Sequence, residues 1–334
     1  MDNNSFEEIF NKLNSSKRVL LSLHPSPDGD SLGGCAAMKY FLERDFCAKV
    51  DLISPSQLPE NFYSLSVVNE IKIGEDLADI DTKNYDLILL MDYGSLKSFS
   101  VKKMGSLFLS SEVFVINMDH HPTNHFFGSL NYVDSTQPSL CSLLVDFFVD
   151  RNVKFDAELA SRLLIGVCTD SGFFTFDTNP NKAISDAMFL ISNGGEYLER
   201  VLSPILYNQP LKFKKFLGYL FSNIKINNEF KCGYALVPLD IVNNFGLNGS
   251  EVALGVNELQ FISEFDFVFT IVEFEDYFKV SFRSKKRVDV SWFVKDMNGG
   301  GHRATAAFSL PKMSIEDAEN RVLKLIKRVG ITRY

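Results

Sequence analysis

Short apolar runs alternate with helical patterns through the first half of this chain. Val19–Leu23 ends at His24 before a glycine-containing turn and a helix. Tyr85–Met91 ends at Asp92 before a Gly-Ser turn, and Val113–Met118 ends at Asp119 before two histidines. Apolar runs of this length, bounded by turns and followed by helical periodicity, predict the buried strands of a parallel α/β sheet. A helix over about 156–168 delivers Thr169-Asp170-Ser171-Gly172, and further helices are predicted around 181–192 and 210–224. Beyond about residue 226 the texture becomes strand-like, as in 267–272 and 277–282. The pattern predicts an N-terminal, mostly parallel α/β domain over 1–195, a helical linker over 196–225 and a smaller C-terminal α/β domain over 226–334.

Each N-terminal run places a carboxylate or an imidazole at the C-terminal end of a strand. Ligands of open α/β sheets collect in the crevice beyond those ends, so residues distant in sequence are expected to meet there. The candidates are His24, Asp28 and Asp30; Asp92; Asp119, His120 and His121; and Asp170. Carboxylate and imidazole without thiolate suit Mn²⁺, Mg²⁺, Fe²⁺ or Co²⁺ better than a structural zinc. The five cysteines are scattered and never spaced Cys-x-x-Cys, which speaks against both a disulfide framework and a thiolate site. A turn through Pro25, Pro27 and Gly29 can aim Asp28 and Asp30 from one loop, and Asp92 on a neighbouring strand can bridge two ions. Two such cations assist in-line displacement at phosphorus.

Composition narrows the partners. A net charge of -8 argues against an extended track for long nucleic acid, leaving small anions whose charge bound cations can offset. The acidic start Met1–Glu8 is unlike a secretory signal, and no apolar run approaches the roughly 18 residues of a membrane span. A cytoplasmic protein without membrane association is expected. An acidic surface is compatible with a monomer or a homodimer.

Alone, Asp-Gly-Asp reads as a solvated turn and Gly-Gly-Gly as a flexible loop. Together, His24-Pro25-Ser26-Pro27-Asp28-Gly29-Asp30, Asp92, Asp119-His120-His121-Pro122-Thr123-Asn124 and Thr169-Asp170-Ser171-Gly172 resemble the four successive motifs of the DHH phosphoesterase family. Phe282-Arg283-Ser284, Val288-Asp289-Val290 and Gly299-Gly300-Gly301-His302 resemble its DHHA1 substrate-binding domain. The short two-domain form is similar to bacterial oligoribonucleases, phosphoadenosine phosphate phosphatases and cyclic-di-AMP phosphodiesterases.

The resemblance implies a role for each position. His24 and Asp28 would hold one Mn²⁺, with Mg²⁺ or Co²⁺ as substitutes; Asp30, His120 and Asp170 would hold a second, and Asp92 would bridge them. Asp119 would orient His120, and His121 would contact the scissile phosphate or help protonate the leaving oxygen. Across a cleft, Arg283, Ser284 and the loop Gly299, Gly300, Gly301 and His302 would receive the nucleotide, helped by amides at the N-terminus of a following helix. The implied activity is hydrolysis of cyclic-di-AMP, pApA, short single-stranded RNA or 3′-phosphoadenosine-5′-phosphate to nucleoside monophosphates. An inorganic pyrophosphatase and a non-catalytic nucleotide-binding regulator are the alternatives. Two departures stand out: Ser139-Leu140-Cys141-Ser142 where the family often carries an acid, and Phe308 where it often carries glycine after paired alanines.

Overall fold

The computed structural model describes residues 3–94, 100, 113–176, 179–247, 249–285, 288–297, 299–301 and 303–333. They form two compact α/β units, residues 1–208 and 209–334. Of the stretch read from sequence as a linker, a π-helical segment Leu198–Tyr207 falls in the first unit and a helix Leu211–Ser222 in the second.

The first unit is built on six parallel strands: β1 (Arg18–Ser22), β2 (Lys49–Ser54), β3 (Lys72–Ile73), β4 (Leu87–Met91), β5 (Val115–Asp119) and β6 (Leu130–Val133). Their spatial order is β3-β2-β1-β4-β5-β6. The chain therefore winds outward from β1, returns beside it at β4, and winds outward the other way. The crevice at this reversal, between the carboxyl ends of β1 and β4, is where ligands of open α/β sheets bind. The alternating faces of β1 and β4 enter different cores. Val19, Leu21, Leu87 and Leu89 join the large cluster packed by helices, whereas Leu20, Ile88 and Leu90 join a smaller one with Leu77 and Tyr93.

Among the described residues, five α-helices accompany this sheet: α1 (Phe6–Ser15), α2 (Gly29–Phe46), α3 (Leu140–Asp150), α4 (Ala157–Asp170) and α5 (Pro180–Ser192). The first begins at a capping box in which Ser5 and Glu8 each accept the other's backbone N–H. Two close approaches bring α2 and α4 together. A Cβ on Gly33 would stand 2.7 Å from the Arg162 carbonyl oxygen, and one on Gly166 would stand 2.2 Å from Cys141 Sγ and 2.4 Å from Asp30 Oδ1. Glycine is what lets α4 lie against both α2 and α3 at the height of Asp30.

In the second unit, α6 (Leu211–Ser222), α7 (Leu239–Phe245) and α8 (Gly249–Leu259) precede or interleave with the strands; α9 (Ser291–Val294) and α10 (Ile315–Val329) follow later. The strands are β7 (Lys225–Asn227), β8 (Cys232–Val237), β9 (Phe267–Glu273), β10 (Tyr277–Ser284), β11 (Gly300–Gly301) and β12 (Thr305–Pro311), in the order β11-β12-β10-β9-β8-β7. All neighbours are antiparallel except β8 and β9. Period-2 alternation splits the sheet between two cores. Phe267, Phe269, Phe278, Val280 and Phe282 pack with α9 and α10, whereas Ala235, Val268 and Val272 pack with α6 to α8.

Candidate functional site

In the first unit, the residues expected to bind cations converge at the strand reversal. Asp92 follows β4 directly and takes a left-handed backbone, φ 67°. That conformation is costly for a non-glycine residue and turns its carboxylate back over the sheet end. Asp92 Oδ2 lies 3.7 Å from His24 Nε2, and its Oδ1 lies 3.4 Å from His120 Nε2. One oxygen thus faces each of two neighbouring ligand groups: His24 with Asp28, and Asp30 with His120 and Asp170.

Each remaining carboxylate is held by local structure. Asp28 caps α2, its Oδ1 accepting the N–H groups of Asp30 and Ser31, while Oδ2 stands 3.6 Å from His24 Nε2. Asp30 is buried, and its two oxygens accept the N–H groups of Leu140 and Cys141 at the start of α3, at 2.6 and 2.9 Å. These amides fall where the family often carries an acid, and sequence reasoning did not find them because backbone donors leave no residue-type signal. Asp170 closes α4, with Oδ2 3.7 Å from His120 Nε2.

Asp119 corrects one expectation. Its buried Oδ1 accepts the backbone N–H groups of His120 and His121 and contacts His121 Nδ1 at 2.8 Å. The imidazole that it orients is therefore that of His121, while the His120 Nε2 faces Asp30, Asp92 and Asp170. Asp119 Oδ2 accepts a 2.6 Å hydrogen bond from Asn124, which also bonds Asn117 and the Tyr93 carbonyl.

The charges of this cluster are far from balanced by protein alone. Burial raises Asp30 well above the usual carboxylate range, reinforced by Asp92 and Asp170, and burial pushes Asp170 up to about 7. Burial would also raise Asp92, but the close imidazoles of His120 and His24 hold it well below its ordinary value. Burial works against the His24 charge, yet Asp28 and Asp92 outweigh it and carry the imidazole up to about 10; His120 is raised in the same way by Asp92 and Asp170. Protonated imidazoles here stand where cations fit. Asp92 Oδ1 is buried and accepts no hydrogen bond, which suits a cation ligand. Oxygen and imidazole donors without thiolate suit a hard or borderline divalent ion. Binding one would release the imidazole protons.

In the second unit the expected substrate residues separate. Arg283 lies half-buried on β10, with Nε donating to Asn257 Oδ1 and Nη1 to the Phe282 carbonyl. Burial brings its guanidinium down to about 10. Ser284 points to the opposite face, as strand alternation requires, and its buried hydroxyl accepts the Val288 N–H. Expected at the substrate, it instead ties the end of β10 to Val288. The glycine loop leads into strand β12, so no helix N-terminus follows it. Gly299 and Gly301 are required by packing: a Cβ would meet the Ala307 carbonyl oxygen at 2.5 Å and the Thr305 carbonyl oxygen at 2.2 Å, and Gly301 has φ 142°. Gly300 is exposed, with nothing near its missing side chain. His302 lies outside the described residues.

No helix among the described residues is long and apolar enough to cross a membrane. The model of the DHH family, N-terminal domain, matches residues 18–167, and that of the DHHA1 domain matches residues 233–329. A Streptococcus mutans protein named probable bifunctional oligoribonuclease and PAP phosphatase NrnA is 26% identical, covering 97% of this chain and 99% of its own. The Bacillus subtilis bifunctional oligoribonuclease and PAP phosphatase NrnA is 22% identical, covering 91% and 92%. A crystal structure of an exopolyphosphatase-related protein from Bacteroides fragilis has the same fold, with TM-score 0.85 at 20% identity over 97% of this chain and 94% of that one. With both domains present in order, each on its own sheet, the chain belongs to the DHH/DHHA1 phosphoesterase family.

Proposed function

We propose that this chain is a two-cation phosphoesterase, using Mn²⁺ with Mg²⁺ or Co²⁺ as substitutes, that hydrolyses small nucleotides to nucleoside monophosphates. Its substrates are short oligoribonucleotides, linear and cyclic adenine dinucleotides and 3′-phosphoadenosine-5′-phosphate. The observation that carries this reading is Asp92, whose two oxygens each face a separate imidazole-carboxylate group while Oδ1 accepts no hydrogen bond. The near full-length similarity to proteins named as oligoribonucleases and PAP phosphatases supports the substrate class.

His24, Asp28 and Asp92 would hold one cation; Asp30, Asp92, His120 and Asp170 would hold the other. Bound there, divalent ions supply positive charge for the phosphoryl oxygens and acidify a water nucleophile. The charges of Asp28, Asp30, Asp92 and Asp170 nearly match those of two divalent ions, so the loaded site would not repel a phosphate. Asp119 and His121 form a proton-handling pair. With Nδ1 hydrogen-bonded to Asp119, proton exchange with the departing oxygen falls to Nε2. Burial disfavours the charged ring, but the Asp119 hydrogen bond and the Asp92 charge outweigh it and keep His121 protonated to higher pH than usual. That is the state a general acid needs. Arg283 and the loop around Gly300 would bind the nucleotide. A planar guanidinium suits phosphate, and an absent side chain lets a ligand approach backbone amides.

The test is a substrate panel with each metal ion, including an RNA series from two to about thirty nucleotides at several salt concentrations. Efficiency should be highest for about two to five nucleotides, with a shallow salt slope, and a chelator should abolish it. Equal efficiency on the longest RNA with a steep salt slope, or turnover that survives chelation, would overturn the reading.

A further inference from the structure

The last helix of the second unit carries charges that its own stability does not explain. In α10 the acids Glu316, Asp317 and Glu319 come first, and the bases Arg321, Lys324, Lys327 and Arg328 follow. Lys327 and Arg328 stand in the final turn, where the helix dipole favours them, and they pair with Glu229 and Asp296. Arg321 and Lys324 lie in mid-helix, beyond that benefit, and among the described residues neither pairs with a carboxylate. Asp317, four residues before Arg321, accepts a hydrogen bond from the hydroxyl of the cap residue Ser314 instead. Acids outnumber bases in this chain, 42 to 34, so partners are not scarce. Arg321, Lys324 and Arg328 also follow one another at spacings of three and four residues. Three like charges on one face cost a helix stability.

That face lines a cavity. Arg321, Lys324 and Arg328 border a hollow of about 420 Å³ together with Met297, Phe308 and Leu325. Its volume lies within the roughly 300–1,000 Å³ of small-molecule sites. Phe308 and Leu325 are buried and Met297 is half-buried, whereas the three cations are exposed, so the hollow has an apolar floor and a cationic rim. One turn earlier on the helix, Asn320 adds an amide and Asp317 a carboxylate to the lining. The cations are spread over roughly 10 Å of helix at the usual rise per residue, more than a single phosphate can touch at once.

We propose that this cavity is a binding site for a nucleoside di- or triphosphate, with the base on Met297, Phe308 and Leu325 and the phosphates along Arg321, Lys324 and Arg328. The apolar floor takes the face of a ring, and Asn320 and Asp317 offer a donor and acceptors to its edge. The guanidinium forks suit phosphate oxygens, and the ammonium between them adds a point charge. The inference does not depend on the proposed hydrolysis, because no residue of the cation cluster and none expected at the substrate takes part.

The test is calorimetric titration of the full chain with AMP, ADP, GDP and pyrophosphate under chelation, which keeps the cation cluster empty and turnover silent. Wild type should bind ADP or GDP about tenfold more tightly than AMP, the effect of one further charge-assisted contact, and more tightly than pyrophosphate, which lacks the ring. The double variant Arg321→Gln/Lys324→Gln should weaken that binding at least tenfold, whereas Arg283→Ala should leave it in place. No binding of either diphosphate by wild type, binding that survives in the double variant, or binding lost in Arg283→Ala instead overturns the inference. Pyrophosphate held as tightly as ADP and GDP would make the hollow an inorganic-anion site and would overturn it too. Both substituted side chains are exposed, and relief of like-charge repulsion should leave the melting temperature of the double variant equal or higher. A lower one would mark Arg321 and Lys324 as structural residues and would also overturn the site.

Discussion

The two units bury charge of opposite sign, and they do so differently. At the end of the first sheet, Asp30 and Asp92 are almost wholly buried among further carboxylates, and three imidazoles partly offset them. On the face of the second sheet, Lys279 and Arg283 are half-buried, and among the described residues no carboxylate offsets them. The first arrangement is rigid: strand ends, a helix cap, the α3 amides and a left-handed Asp92 backbone each hold one oxygen in place. The second is a strand face on which, among the described residues, Arg283 is anchored by Asn257 and Lys279 has no hydrogen-bond or ion-pair partner. Rigid, convergent acids suit small hard cations that demand fixed geometry, and long flexible cations suit a phosphate that arrives on a variable ligand.

The sharpest way to break this contrast is Asp92→Asn. Losing a carboxylate that faces both ligand groups should reduce turnover by several kcal/mol of barrier, roughly a thousandfold, and lower cation content. Mass spectrometry of bound metal alongside kinetics checks this, and near wild-type activity would remove the case for a shared carboxylate. Asp119→Asn comes next in size. It should leave cation content close to wild type and lower kcat by about 100-fold on ribose leaving groups. A nitrophenyl phosphodiester, whose leaving group needs no proton, should be much less affected; equal losses on both would mean that Asp119 acts on metal binding instead. Ser284→Ala should have the smallest effect on catalysis. It should cost about 1 to 3 kcal/mol of stability, the penalty for stranding the buried Val288 N–H, and leave KM unchanged. A higher KM without a fall in melting temperature would return Ser284 to the substrate side of the sheet.

Much of this was legible in the chain because the signals are local. A strand that ends in His24, Asp92 or Asp119 announces both its buried run and its polar terminus within a few residues. Arg283 and Gly299 to Gly301 were legible as a basic residue and a side-chain-free loop. The helices α7, α8 and α10 were less so, because the strands around them dominate the hydrophobic pattern of the C-terminal third. The π-helical segment Leu198–Tyr207 contains Pro204, a residue that speaks against a helix when only sequence is read.

By itself, the sequence determined the class of the fold, the order of the motifs and the donor types available to a cation, since each depends on residue identity and short-range periodicity. Only the tertiary structure decided who touches whom. The strand order placed His24 and Asp92 on either side of the reversal. The glycine contacts of α4 set Asp30 against the amides of α3. The fold of the turn gave Asp119 to His121 rather than to His120, and strand alternation parted Arg283 from Ser284 while joining it to Lys279. These partnerships depend on register and on which backbones can approach, and neither is written in the type of any one residue.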